Sequence, residues 1–374
     1  MKNFLYSVLA VLLCIIVAGG VALWAYEKEN SVNVLPNDST TVGDEFDDGS
    51  GNTANNGNTS SGTTDKEEDP SGGGDSSDSG NTEEPTPTVQ PLTDPANKSS
   101  YIATGLEMIK GASIRVIADE RPAIRFMCKI SSALKEQLDG DSSKQVAMLL
   151  APMDYFDAVN TQNYTYIDWV SAFEKSGKTY VFGTYEGMGE YGEDYMVRFT
   201  LTDVLYQNTN RKFVALGCIV TTIGGTVTYK YAAFPSGLDY RSNARSCAYV
   251  ATAALNAHAT GLESFSEENV TVLKNYINES VDQANGLTEA TNDGSMYALN
   301  ITSGTSKTLT VGQSYTIKSE IVPNVEVPIL YKSSNVAVAV VDTSTGKVTA
   351  VAKGTATIYL YLAGEEYSVT LTVT

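Results

Sequence analysis

From Leu299 to the C-terminal Thr374, apolar and polar residues alternate almost without interruption, and glycine or Ser/Asn clusters break the pattern into short runs. It is plainest in Ala337-Val-Ala-Val-Val341, Gly346-Lys-Val-Thr-Ala350 and Gly354-Thr-Ala-Thr-Ile358. A period of two sends successive side chains to opposite faces of a strand, so each run buries one face and wets the other. Several such runs, separated by turn residues, bury their apolar faces against one another, and the expected product is a small β-sandwich. Modules of that class present, space or bind, and rarely catalyse.

The rest of the chain is organised around this end. At 374 residues the sequence is too long for one ordinary domain. Its net charge of −19 is concentrated: residues 27–98 carry 16 acidic side chains against three lysines. That stretch is rich in Gly, Ser, Thr and Asn and nearly free of apolar residues. It cannot bury enough surface to offset the entropy of ordering, so it reads as a disordered acidic linker, a stalk of roughly 45 Å if it behaves as a flexible coil. Phosphate binding needs a basic footprint and none is visible, so nucleic acid is not an expected partner. Ahead of the linker, Phe4–Tyr26 contains no charge over 23 residues. About 20 apolar residues suffice to span a bilayer as a helix, and a secretory signal core is shorter. Residues 1–26 therefore read as a transmembrane signal-anchor, with a cleaved signal peptide as the alternative. Lys2 before the run and Glu27-Lys-Glu29 after it favour an extracellular C-terminal side. The membrane is thus an expected partner, and secretion is the alternative location.

Residues 99–286 are expected to form an α+β domain, and 287–374 the sandwich. Strands are predicted at 112–117, 123–130 and 144–150. Two more, at 179–185 and 195–201, flank a Gly-rich turn, and a hairpin runs from 212 to 232 across Gly224-Gly225. A short helix is expected at 131–138, a buried one at 242–257, and an amphipathic one at 265–284 with Ser264 and Glu267 as a capping box. Cys128, Cys218 and Cys247 have no metal-like spacing and read as buried structural thiols, as Cys128 does from its place among Ile124, Phe126 and Ile130. No cofactor is implied.

Three constellations carry chemistry. In Tyr180–Tyr195, tyrosines alternate with carboxylates along a glycine-rich stretch. Tyr185, Tyr191 and Tyr195, extended by Trp169, suit a sugar, whose C–H faces pack on aromatic rings while its hydroxyls donate to carboxylates. The plain alternative is an exposed hairpin with ordinary strand tyrosines. Arg115, Arg125 and Arg245 suit a carboxylate or phosphate ligand if they converge, because the guanidinium fork binds such groups bidentately. Internal pairing with Asp119, Glu120 or Asp239 is the alternative. Finally, Glu186, Glu190, Glu193 and Asp194 contain the carboxylates a glycosidase pair needs. There is no G-x-S-x-G, H-E-x-x-H or phosphate loop, and the single histidine, His258, reads as a helix-end residue near Gly261.

Two resemblances add to this. The succession Leu299-Asn-Ile301, Lys307-Thr-Leu-Thr-Val-Gly312, Ile321-Val-Pro323, Tyr331-Lys-Ser-Ser-Asn335, Gly346-Lys-Val-Thr-Ala350 and Gly354-Thr-Ala-Thr-Ile358 is similar to the bacterial immunoglobulin-like group 2 family of bacterial surface proteins and adhesins. Tyr331 stands where that family often has Trp. The resemblance implies a disulfide-free sandwich, a surface location and no catalytic residues. Gly111-Ala-Ser-Ile-Arg115, Ile124-Arg-Phe126 and Arg245-Ser-Cys-Ala-Tyr-Val-Ala251 resemble an uncharacterised domain in surface proteins of anaerobic gut bacteria, which brings no activity with it. The combined expectation is a non-enzymatic cell-surface protein presenting a domain that binds an extracellular glycan or protein. A structural envelope spacer and a wall- or glycan-acting hydrolase are the alternatives.

Overall fold

The structure, a computed structural model, describes residues 98–117, 121–161, 164, 166–185, 187–235 and 238–374. The apolar run and nearly all of the acidic linker fall outside these. Among the described residues no helix is long and apolar enough to cross a membrane.

One helical turn, α1 (Lys98–Tyr101), leads into β1 (Ile102–Met108), β2 (Ser113–Arg115) and β3 (Ala123–Ile130). Then come α2 (Ser132–Gly140), β4 (Lys144–Pro152), α3 (Met153–Val159) and α4 (Trp169–Ser176). β5 (Val181–Thr184), β6 (Gly187–Tyr191), β7 (Asp194–Leu201), β8 (Phe213–Ile223) and β9 (Thr226–Ala233) complete the sheet. Two helices close this part, α5 (Cys247–Ala259) and α6 (Glu267–Ala284).

The sheet runs β5-β4-β8-β9-β1-β3-β7-β6, with β2 on β3. All pairs are antiparallel except β1 with β9. β5 and β6 occupy opposite ends of this order, yet they are consecutive in the chain. The ring of Tyr185, just past β5, packs edge-on against Phe199 of β7, with centroids 6.5 Å apart. The two ends of the sheet therefore meet, and the strands wrap into a barrel-like enclosure.

Register assigns the faces, because directly paired residues point the same way. Met108 pairs with Cys128, Cys128 with Val197 and Met148 with Gly217. These residues face inward. Gly217 of β8 lies against Cys128 of β3, a strand that is not its neighbour in the sheet, and a Cβ at Gly217 would overlap Cys128 Sγ. Met108 Sδ accepts from Gly217 N at 3.2 Å and lies 3.3 Å from Cys128 Sγ. Glycine in mid-strand is thus the condition for two distant strands to approach.

On the outer side of β8, β9 and β4, α3 and α4 contribute an aromatic cluster. The Trp169 ring lies 5.0 Å from Phe156, tilted, and 5.1 Å from Tyr240, edge-on, by centroid. Tyr231, from β9, accepts from Val170 N at 2.8 Å and donates to Asp168 Oδ1 at 3.0 Å, which ties the start of α4 to the sheet.

Three sequence expectations need correction. The strands at 179–185 and 195–201 do not flank one turn. β5 pairs with β4, the stretch between contains β6, and the hairpin is β6–β7, closed at 192–193. Glycine at alternate positions (Gly187, Gly189) has the composition of a turn but lies in a paired strand. The helix expected from Ser242 begins at Cys247, because Arg245 exchanges backbone hydrogen bonds with Phe213 and Ser246 caps the helix by accepting from Tyr249 N. The cap of α6 is Ser266, accepting from Asn269 N, rather than Ser264.

The C-terminal part is entirely strand and turn: β10 (Ala298–Ile301), β11 (Ser306–Leu309), β12 (Ser314–Thr316), β13 (Ser319–Val322), β14 (Leu330–Ser333), β15 (Ala339–Val341), β16 (Lys347–Ala350), β17 (Gly354–Leu362) and β18 (Glu365–Val373). They form the sheets β11-β18-β17-β14 and β12-β16-β15, with β10 on β13. Ile358, Leu360, Val369, Leu371 and Val348 are completely buried between them, as the alternation requires. Tyr331 is buried too, its ring lying where a side chain at Gly346 would be.

Candidate functional site

The tyrosine-rich stretch forms the rim of the enclosure. In β6–β7, Glu190 pairs with Tyr195 and Met188 with Val197, while Tyr191 pairs with Asp194 and Gly189 with Met196. Tyr195 and Glu190 therefore share the inward face, together with Val197 and Phe199. Tyr191 and Asp194 lie on the outward face. Tyr185 joins the inward set through Phe199.

α2 crosses this rim. Ser131 caps it by accepting from Leu134 N at 3.2 Å, and Ser132 N donates to Asp194 Oδ1 at 3.2 Å, which fixes the helix to the β6–β7 hairpin. Its Lys135 ammonium sits 5.6 Å from the centroid of Tyr195. Lys135 also donates to Asp139 at 2.5 Å, and that bond raises the ammonium pKa above its ordinary value. The result is a cluster on the rim: Tyr185 is exposed at 38 % and Tyr195 half-buried, with the Lys135 ammonium over the Tyr195 ring and the exposed Glu190 paired with Tyr195. Aromatic faces, a carboxylate acceptor and an ammonium donor can hold a polyhydroxylated ligand by stacking and hydrogen bonding. Lys135, Phe199 and Glu190's alignment with Tyr195 escaped sequence reasoning. The signal was only the register of β6 on β7, which single-strand alternation does not contain.

The other expected residues lie elsewhere. Trp169 is completely buried in the α3–α4 cluster and is not part of an exposed platform. Tyr191, exposed at 45 %, faces away from Tyr195. Arg115 and Arg125 do share a face, since Ser113 pairs with Arg125 and Arg115 with Ala123, and Arg198 joins them one diagonal further along. Arg125 Nε donates to Thr200 Oγ1 at 3.1 Å. Asp119, Glu120 and Glu186 are outside the described residues. Arg245, just ahead of α5, makes local contacts. Its guanidinium donates to the carbonyls of Ser242 and Ala244 and lies 4.9 Å from the Tyr249 ring, while Asp239 accepts from Ser242 N.

Glu190 and Asp194 lie on opposite faces of the hairpin, and so are not arranged as a catalytic pair across one cleft. Among the described residues, no group of three or more His, Cys, Asp or Glu side chains is placed to hold a metal ion. His258 Nδ1 accepts from Phe265 N at 3.2 Å near the end of α5. Burial raises the pKa of all three described thiols, Cys218 to about 12.

The C-terminal strands define an immunoglobulin-like β-sandwich. Residues 299–373 match the bacterial Ig-like domain, group 2. No curated protein matches the chain. Among solved structures, domains 5–6 of the S-layer protein SbsC match at 20 % identity over 21 % of this chain and 43 % of theirs, with a TM-score of 0.18. A C-terminal fragment of intimin, solved with the intimin-binding domain of its translocated receptor, matches at 11 % identity over 72 % of this chain and 64 % of its own, with a TM-score of 0.18. A titin fragment, A168169, matches at 9 % identity over 72 % of this chain and 98 % of its own, with a TM-score of 0.17. The chain thus spans less than two thirds of the S-layer and intimin fragments. At these scores the superpositions bear on neither its architecture nor its ligand.

Proposed function

We propose that this is a non-enzymatic cell-surface protein whose barrel mouth binds a glycan, with the Ig-like module as its support. The observation that carries the binding reading is the convergence of Tyr185, Tyr195, Glu190 and Lys135 on one rim. Support for the location comes from the group 2 Ig-like module together with the uncharged run Phe4–Tyr26 and the acidic stretch after it. In this reading the run anchors or exports the chain, and the stretch lifts the folded part off the membrane.

The geometry separates two tyrosines that the sequence treats alike. On a glycan array, Tyr185→Ala should abolish binding, and Tyr191→Ala, on the far face of the hairpin, should leave it within about twofold. Equal loss from both would refute the rim as the site. No binding to any glycan, with retention of an extracellular protein instead, would move the ligand class to a peptide. No binding of either kind would leave the spacer role of the Ig-like module as the function.

A further inference from the structure

We infer that the Ig-like module is locked to the barrel through α5, so that the two fold and move as one unit; this holds whatever the mouth binds. The lock is Asn256. It is 2 % exposed and sits near the C-terminal end of α5. Its amide is used at both ends, and both partners belong to the module. Nδ2 donates to the carbonyl of Pro328, just before β14, at 3.0 Å. Oδ1 accepts from Gly364 N, in the β17–β18 turn, at 3.1 Å. One buried side chain of the first unit thus satisfies two separate loops of the second.

The surroundings agree with a built joint. Gly364 has φ +87°, a conformation that L side chains rarely adopt, and a Cβ there would lie 3.6 Å from Leu255 Cβ, so the turn rests directly on the helix. Leu255, Leu362 and Ala363 are each at most 1 % exposed. The connecting segment is strapped along α6. Tyr206 Oη donates to the Leu287 carbonyl at 3.1 Å, and Asp282 accepts from Thr291 N at 2.7 Å. Asn278 Nδ2 donates to Asp293 at 3.1 Å, and Tyr297 Oη donates to Ser280 Oγ at 2.5 Å. Asp282, Asn278, Ser280 and Tyr297 are all buried. A flexible tether would spend none of these groups on its neighbour.

A rigid joint has a use: the module then sets the direction in which the barrel mouth points, where a swivelling joint would leave it free. The test uses the full chain. Calorimetry should show one unfolding transition for the described part. Asn256→Ala leaves the Pro328 carbonyl and Gly364 N–H without partners and should lower that transition by about 4–8 °C. In hydrogen exchange, protection should fall together in Cys247–Ala259, Leu330–Ser333 and the β17–β18 turn. If that variant does not accumulate, Tyr297→Phe, which removes the hydroxyl bonded to Ser280 and leaves the ring in place, should give the same paired loss across α6 and β10. Two separate transitions in the unmodified chain would overturn the inference. So would exchange changes confined to one side of the joint.

Discussion

Gly217→Ala puts the barrel packing to a quantitative test. In an ordinary strand this change is favourable, because alanine has less backbone entropy to lose, by about 0.4–1 kcal/mol. No left-handed backbone is involved at Gly217, so that gain should apply. Against it stands the contact: the new methyl would overlap Cys128 Sγ and lie 3.5 Å from Cys128 Cβ and 3.6 Å from Ala232 Cβ. Cys128 is completely buried, with Met108 Sδ 3.3 Å from its sulfur, so little room exists to turn aside. Overpacking of this kind costs about 1–3 kcal/mol, which leaves a net loss of roughly 0.5–2 kcal/mol and a Tm lower by about 2–6 °C. Cys128→Ala alone removes one buried heavy atom and should cost about 1 kcal/mol. In the double variant the methyl added at Gly217 occupies the space the sulfur left. The pair should therefore be more stable than the sum of its parts by about 1 kcal/mol or more, measured by denaturant unfolding of the four proteins in a cycle. If Gly217→Ala stabilises the protein, or the two changes are additive, β3 and β8 do not meet and the wrapping of the sheet is wrong.

Other consequences are more direct. Tyr231→Phe strips Val170 N and Asp168 of a shared hydroxyl partner and should destabilise by about 1–3 kcal/mol, read from the urea midpoint; a loss below about 0.3 kcal/mol would mean that α4 is held by ring packing alone. Because burial raises their pKa values, Cys128, Cys218 and Cys247 should stay unmodified by N-ethylmaleimide at pH 8 in the native chain and react fully in denaturant, as peptide mass spectrometry would show. Asp342 accepts backbone N–H bonds from Thr345 and Ser344 and is pulled down to about 2, and Ser143 with Lys144 does the same for Asp141. Both pKa values are lower folded than unfolded. Their stabilisation is present above about pH 4 and is lost as pH falls towards 2, so Asp342→Asn should lower Tm at pH 7, leave it nearly unchanged near pH 2, and so flatten the Tm–pH curve between them.

The legibility of this chain follows from where its information is local. In the sandwich, each strand states its own buried face. Val348, Ala350, Ile358 and Leu371 could be assigned from alternation alone, and all four are buried. In the barrel, β8 is buried on both faces from Phe213 to Val220, so alternation has nothing to report there and the strand reads only as apolar. Ser242–Ala257 shows the same limit. Apolar on all sides, it announces a buried helix but not its start, which is set by a long-range pairing between Arg245 and Phe213. Ser264 has the capping-box spacing to Glu267, yet the helix is capped by Ser266, so the local motif misplaced the start by two residues.

The site suffered from the same cause in a sharper form. Tyr185, Tyr191 and Tyr195 look equivalent because their chemistry is. Their difference is a matter of parity: the tight β6–β7 hairpin places Tyr195 opposite Glu190 and Tyr191 opposite Asp194, so neighbouring tyrosines diverge. A one-residue slip of β6 on β7 would invert β6 alone, turning Tyr191 towards the rim and Glu190 outward, while Tyr195 stays fixed by its pairing with Ile130 of β3. Gly192, at φ +63°, helps hold the turn. Gly192→Val should strain it and favour a longer loop, and then Tyr191→Ala would begin to cost binding that Tyr185→Ala alone costs in the unmodified protein. If ligand binding in the Gly192→Val background still ignores Tyr191, the rim owes its identity to α2 and Lys135 rather than to the register of the hairpin.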